Sequence, residues 1–92
     1  MNISESEVET ESLFKTLRYE STKNPKLKTL VSNLEIYYEN KFDLYECYFE
    51  VIRLWMNVYS ICDNIKSIKS EKLKSKIVSE VVKLTQWKSN QS

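Results

Sequence analysis

This sequence predicts an all-α fold: three or four antiparallel helices in one bundle, paired with a second copy of the chain. Three observations lead there. The 92 residues include no glycine and a single proline, Pro25, so the chain lacks the residue that tight β-hairpins place at positive φ. Apolar residues recur at spacings of three and four, the period of an amphipathic helix. Finally, 41% of residues are apolar, including two Trp, six Tyr and three Phe, enough to fold rather than stay disordered. A domain this short hides only about 60–65% of its unfolded surface, which favours burying more against another copy.

The first helix is expected over 4–22. Ser4 and Glu7 have the spacing of a capping box, and the glutamates at 5, 7, 9 and 11 suit the positive end of a helix dipole. Val8, Leu13, Phe14 and Leu17 are sparse, so this helix docks mainly through its second half and stops between Ser21 and Asn24. Asn24-Pro25 is the sharpest punctuation in the chain: Asn is a preferred N-cap, and Pro fits the first helical position, where its missing N–H is not needed. A second helix over 25–40 then carries Leu27, Leu30, Val31, Leu34, Tyr37 and Tyr38 on one stripe.

The pattern continues through Tyr45, Tyr48, Ile52, Trp55 and Tyr59, with only Lys41 out of phase. One helix from 25 to 66 would be about 60 Å long, against a radius of gyration of about 12 Å for a compact domain of this size. Only an elongated dimer could cover such a rod, so a break or kink at Asn40–Asp43 is the favoured expectation, with Asp43 capping a third helix over 43–66. Fourteen of the nineteen residues in 44–62 are apolar. The exceptions, Glu46, Glu50, Arg53, Asn57 and Ser60, are spaced 4, 3, 4, 3 and form one narrow polar stripe on which Glu50 and Arg53 can pair. Such a helix calls for at least three neighbours, from this chain or from a second copy. The last helix is expected over 70–88, capped by Ser70 after a polar Ser67–Ser70 turn. Leu73, Ile77, Val81 and Leu84 form its stripe, widened by Val78 and Val82 and finished by Trp87, with fraying beyond. With no internal repeat and no low-complexity linker, 1–92 reads as a single domain.

Several functions are disfavoured. Without histidine, serine and cysteine nucleophiles lack an imidazole base. Glu46 and Glu50 lack the Glu-x-x-His partners of a carboxylate dimetal site, so no catalysis, cofactor or metal is expected. Cys47 and Cys62, on one helix, stand about 22 Å apart along its axis, too far for a disulfide; free thiols in a reducing cytoplasm are expected. The acidic Met1–Glu5 start does not read as a secretion signal, and Glu46, Glu50 and Arg53 oppose membrane insertion of 44–62. Abundant Lys, Asn, Ile and Tyr without Gly point to an A/T-rich coding source such as a virus or mobile element.

Two surfaces remain. Tyr37, Tyr38, Tyr45, Tyr48, Trp55 and Tyr59 are candidates for a protein interface, since tyrosine presents a large rigid face with a hydroxyl at the wet edge. The charge is also polarised. Residues 1–20 carry net −3 and 64–92 net +5 within an overall +1, and Lys66, Lys69, Lys72, Lys74 and Lys76 are candidates for phosphate contact. Against nucleic acid stand the absence of arginine from that segment and the poor fit of cations at a helix N-terminus. The expected role is a non-enzymatic helical interaction or regulatory protein that self-associates, with a nucleic-acid-binding regulator built on 66–76 as the alternative.

Overall fold

A computed structural model describes residues 5–39, 44 and 46–90, with side chains from Val8 onward. Four helices follow one another: α1 (Glu5–Ser21), α2 (Pro25–Glu39), α3 (Tyr48–Ile65) and α4 (Ile68–Asn90), with no strand among the described residues. Ser4 of the expected capping box, the Asn40–Asp43 break with its Asp43 cap, and Tyr45 all lie outside the described residues, as does the Glu7 side chain. The two middle helices are separate, since α2 ends at Glu39 and Leu44, Glu46 and Cys47 are turn residues.

The direction of packing follows from which residues meet. Between α1 and α2, Phe14 meets Tyr38 and Arg18 meets Glu35. Between α1 and α4, Thr10 meets Glu80 and Glu20 meets Lys69. Between α3 and α4, Tyr48 meets Lys88 and Asp63 meets Lys74. In each pair one number rises as the other falls, so the helices are antiparallel. Each helix packs on the next, and α4 returns to α1 along the thinnest of the four seams. The radius of gyration is 13.0 Å, close to the compact value for this length.

Each helix gives the core one row of side chains. Leu13, Phe14 and Leu17 come from α1, Leu27, Val31 and Leu34 from α2, Val51, Trp55, Val58 and Cys62 from α3, and Leu73, Ile77 and Leu84 from α4. An aromatic triangle stands among them. The Phe14 ring lies 5.2 Å from Tyr38 and 5.7 Å from Trp55, and Tyr38 lies 6.3 Å from Trp55. These edge-on and tilted arrangements add to simple burial. The indole N–H of Trp55 donates to the Tyr38 hydroxyl at 3.2 Å, which satisfies a donor that burial would otherwise strand.

The turns show what local chemistry decides. Asn24 behaves as its position before Pro25 predicts: its Oδ1 accepts from the Lys26 amide at 3.2 Å and its carbonyl from the Lys28 amide at 3.1 Å. At the other end of the bundle, α3 stops at Lys66, which adopts the left-handed conformation at φ 49°, ψ 59°. A chain with no glycine must put a side chain there, at a cost of about 1 kcal/mol.

Three boundaries differ from the sequence expectation. The cap of α4 is Ser67 rather than Ser70: Ser67 Oγ accepts from the Ser70 amide at 3.0 Å, so the helix begins at Ile68 and then runs on to Asn90. Ser70 is instead buried, and its hydroxyl donates to the Cys62 carbonyl, one of the acceptors that a helix end leaves without an internal partner. Helix α3 begins five residues later than expected, because Leu44 and Cys47 pack against the core from a turn before the helix starts.

Candidate protein interface

Helix α3 carries the candidate surface. Its core line, Val51, Trp55, Val58 and Cys62, steps by 4, 3 and 4, and the opposite stripe, Glu46, Glu50, Arg53, Asn57 and Ser60, is exposed as its spacing predicts. The flanks between these lines differ. Toward α2, Leu54 and Ile61 are half-buried. Toward α4, Ile52 is half-buried, but Met56 is 62% exposed and Phe49 72% exposed. Among the described residues α3 is flanked by α2 and α4, while α1 reaches across to it through Phe14 on Trp55. The expected Glu50–Arg53 pair does not form among the described residues. Both side chains are solvated, where an i,i+3 ion pair gains only about 0.3–0.5 kcal/mol.

The aromatic set divides by depth. Trp55 is fully buried and Tyr38 half-buried beside it, where burial raises the phenol well above its ordinary range. Tyr37 is half-buried on α2. Tyr48 is half-buried under Lys88, whose Nζ lies 5.7 Å from the ring, and Phe49 meets it edge-on at 5.3 Å. Tyr59 lies near the surface beside Lys74. Trp55 and Tyr38 thus organise the core, while Tyr48 and Tyr59 border the α3–α4 surface.

The lysine run divides as well. Lys74 is largely buried, held between Asp63 at 2.8 Å and Glu71 at 2.7 Å, and these carboxylates raise its ammonium well above the ordinary lysine range. In return, Lys74 holds the Asp63 carboxyl below its usual value. Lys69 lies 2.7 Å from Glu20 and 4.5 Å from the Tyr19 ring, so the acidic front and basic tail of the chain attract each other within one molecule at this point. Lys66, Lys72 and Lys76 are exposed and make no ion pair among the described residues.

One charged residue was hidden in the sequence. Glu80 is only 5% exposed on α4, where it accepts from Thr10 Oγ1 at 2.6 Å and from Lys83 Nζ at 2.8 Å. It lines a cleft of about 390 Å³ between α1 and α4, with Val8, Ser12, Ser79 and Lys76. The signal was available: Leu73, Ile77, Glu80 and Leu84 step by 4, 3 and 4, so the core line passes through Glu80, while Val81, assigned to the stripe, is half-buried.

Cys47 and Cys62 are free thiols, and burial pushes the Cys62 thiol upward, with a smaller contribution from the charge of Glu20. Among the described residues no group of His, Cys, Asp and Glu is placed to hold a metal ion, and no helix is long and apolar enough to cross a membrane. Comparison with protein-family models, with curated proteins and with solved structures finds no match to this chain.

Proposed function

We propose that this chain is a non-enzymatic helical interaction or regulatory protein that acts through protein–protein contacts as a homodimer. One observation supports the reading above others: the open apolar flank of α3, where Phe49 and Met56 stand 72% and 62% exposed next to a fully buried core row. Single exposed apolar residues are ordinary, but large ones grouped on one side of an otherwise packed helix mark a binding face. The free thiols suit a reducing, cytoplasmic setting. Light scattering on the purified full chain tests the proposal. The expected mass is near twice 11.0 kDa, and a mass of one chain at every concentration overturns it.

A second reading, a small nucleic-acid-binding regulator, is favoured by the open charges of Lys66, Lys72 and Lys76. It predicts binding to a DNA or RNA duplex that weakens steeply with salt and is lost when Lys66, Lys72 and Lys76 are changed to Glu. No retardation of either duplex at low salt removes it.

A further inference from the structure

The flank of α3 continues onto α4. The contacts Asp63–Lys74 and Tyr48–Lys88 set the register of the two helices. In that register Tyr59 stands opposite Val78, and Met56 opposite Val81 and Val82. Phe49, Met56, Tyr59, Val78 and Val82 are 72%, 62%, 37%, 49% and 45% exposed, and all five fall on the same side of the α3–α4 pair. With half-buried Ile52 and Val81 between them, they form one apolar seam along the outside of the bundle.

We propose that this seam receives the same seam of a second copy, the two lying antiparallel. The inference rests on the homodimer reading above and names the face and the orientation. Area is the first argument. At these exposures the five side chains leave on the order of 450 Å² of apolar surface open, taking the side chains at roughly 170 Å² each. Two copies then cover on the order of 900 Å² of apolar surface. Homodimer interfaces are about 65% apolar, so the whole contact comes to roughly 1,400 Å², inside the range of about 1,200–2,000 Å² for stable interfaces.

Charge gives the orientation. At the end of the seam near the α3–α4 turn, the carboxylates of Asp63 and Glu71 face the single ammonium of Lys74, with Lys66 in the turn beyond. At the other end Lys88 lies over Tyr48. A two-fold axis across the seam sets the exposed carboxylates of Asp63 and Glu71 of each copy near Lys88 of the other. An axis along the seam instead brings Asp63 and Glu71 onto their own duplicates. The two ends are about 22 Å apart along α3, so in the antiparallel arrangement both charge contacts form while the apolar centres meet at Met56 and Val82. A C2 contact requires this self-complementarity.

The test is the oligomeric state of full-length variants, measured by sedimentation, with circular dichroism melting as the control for folding. Met56→Glu and Phe49→Glu alter exposed positions, so each is expected to melt as a folded helical protein and to dissociate at least about a hundredfold more readily than the wild type. Glu71→Lys and Lys88→Glu are each expected to weaken the dimer, and the double reversal to restore it. A dimer that survives both Met56→Glu and Phe49→Glu overturns this face while leaving self-association standing. Charge reversals that do not compensate overturn the antiparallel arrangement, and a monomeric wild type overturns both this inference and the reading beneath it.

Discussion

Replacing Trp55 by alanine is expected to lower the unfolding free energy by about 3–5 kcal/mol, the range for deleting a fully buried large aromatic. The indole is 0% exposed, packs against the Phe14 and Tyr38 rings at 5.7 and 6.3 Å, and is the partner of the Tyr38 hydroxyl. Three losses coincide: the transfer energy of the ring, the cavity it leaves among α1, α2 and α3, and the edge-on aromatic contacts. A domain of this length has a total stability of about 5–14 kcal/mol, so the loss removes a large share of it and, at the low end of that range, leaves folded and unfolded molecules nearly balanced. At about 4–8 °C per kcal/mol, its melting midpoint falls by roughly 12–40 °C. Urea titration gives the answer directly, and an unchanged slope is expected together with the shifted midpoint. Tyr38→Phe is the milder companion, because it keeps the ring and removes only the acceptor of the indole N–H, for about 1–2 kcal/mol. A Trp55→Ala loss below about 1 kcal/mol would place the centre of the core elsewhere.

What was legible in the residues and what was not follows from how far each signal reaches. The Asn24-Pro25 cap is local chemistry, complete within five residues, and it holds. Ser67 and Ser70 both satisfy the same capping rule. The choice between them is tertiary: Ser70 is drawn inward to the Cys62 carbonyl, which leaves Ser67 to cap. The lysine run is continuous only along the chain. At about 100° per residue, Lys74 points about 200° away from Lys72 and from Lys76. It therefore meets Asp63 on α3, while Lys76 lines the cleft beside α1. The tyrosines divide in the same way: Tyr38 belongs with Trp55 in the core and Tyr59 sits at the edge of the outer seam. In both cases it is the angle between neighbouring positions, not their closeness in sequence, that decides which side chains share a face. Glu80 is the opposite case. Its spacing puts it on the core line, against the general rule that carboxylates are solvated, and Thr10 and Lys83 satisfy it there.

Lys83→Met is expected to cost about 2–3 kcal/mol, and adding Glu80→Leu in the same chain to recover most of that loss. The asymmetry follows from what each change leaves behind. The Glu80 side chain is 6% exposed and that of Lys83 23% exposed. Removing the ammonium therefore strands a carboxylate away from water, with the Thr10 hydroxyl still donating to it. Breaking a buried pair from one side typically costs about 3–5 kcal/mol; the figure is lower here because Lys83 is partly solvated and the Thr10 hydroxyl still donates. Substituting both members by apolar groups removes the need for either charge, and such replacements are often neutral. The effect should be concentrated where α1 meets α4, the thinnest seam of the bundle, because the Thr10–Glu80 bond joins those two helices. Amide exchange should thus accelerate in α1 well before it does in α3 in the single variant, and return toward the wild-type pattern in the double variant. Equal acceleration in all four helices would show that Glu80 acts through global stability rather than by docking α1. A double variant no more stable than Lys83→Met alone would show that the cost comes from lost packing of the lysine stem rather than from an unpaired buried charge.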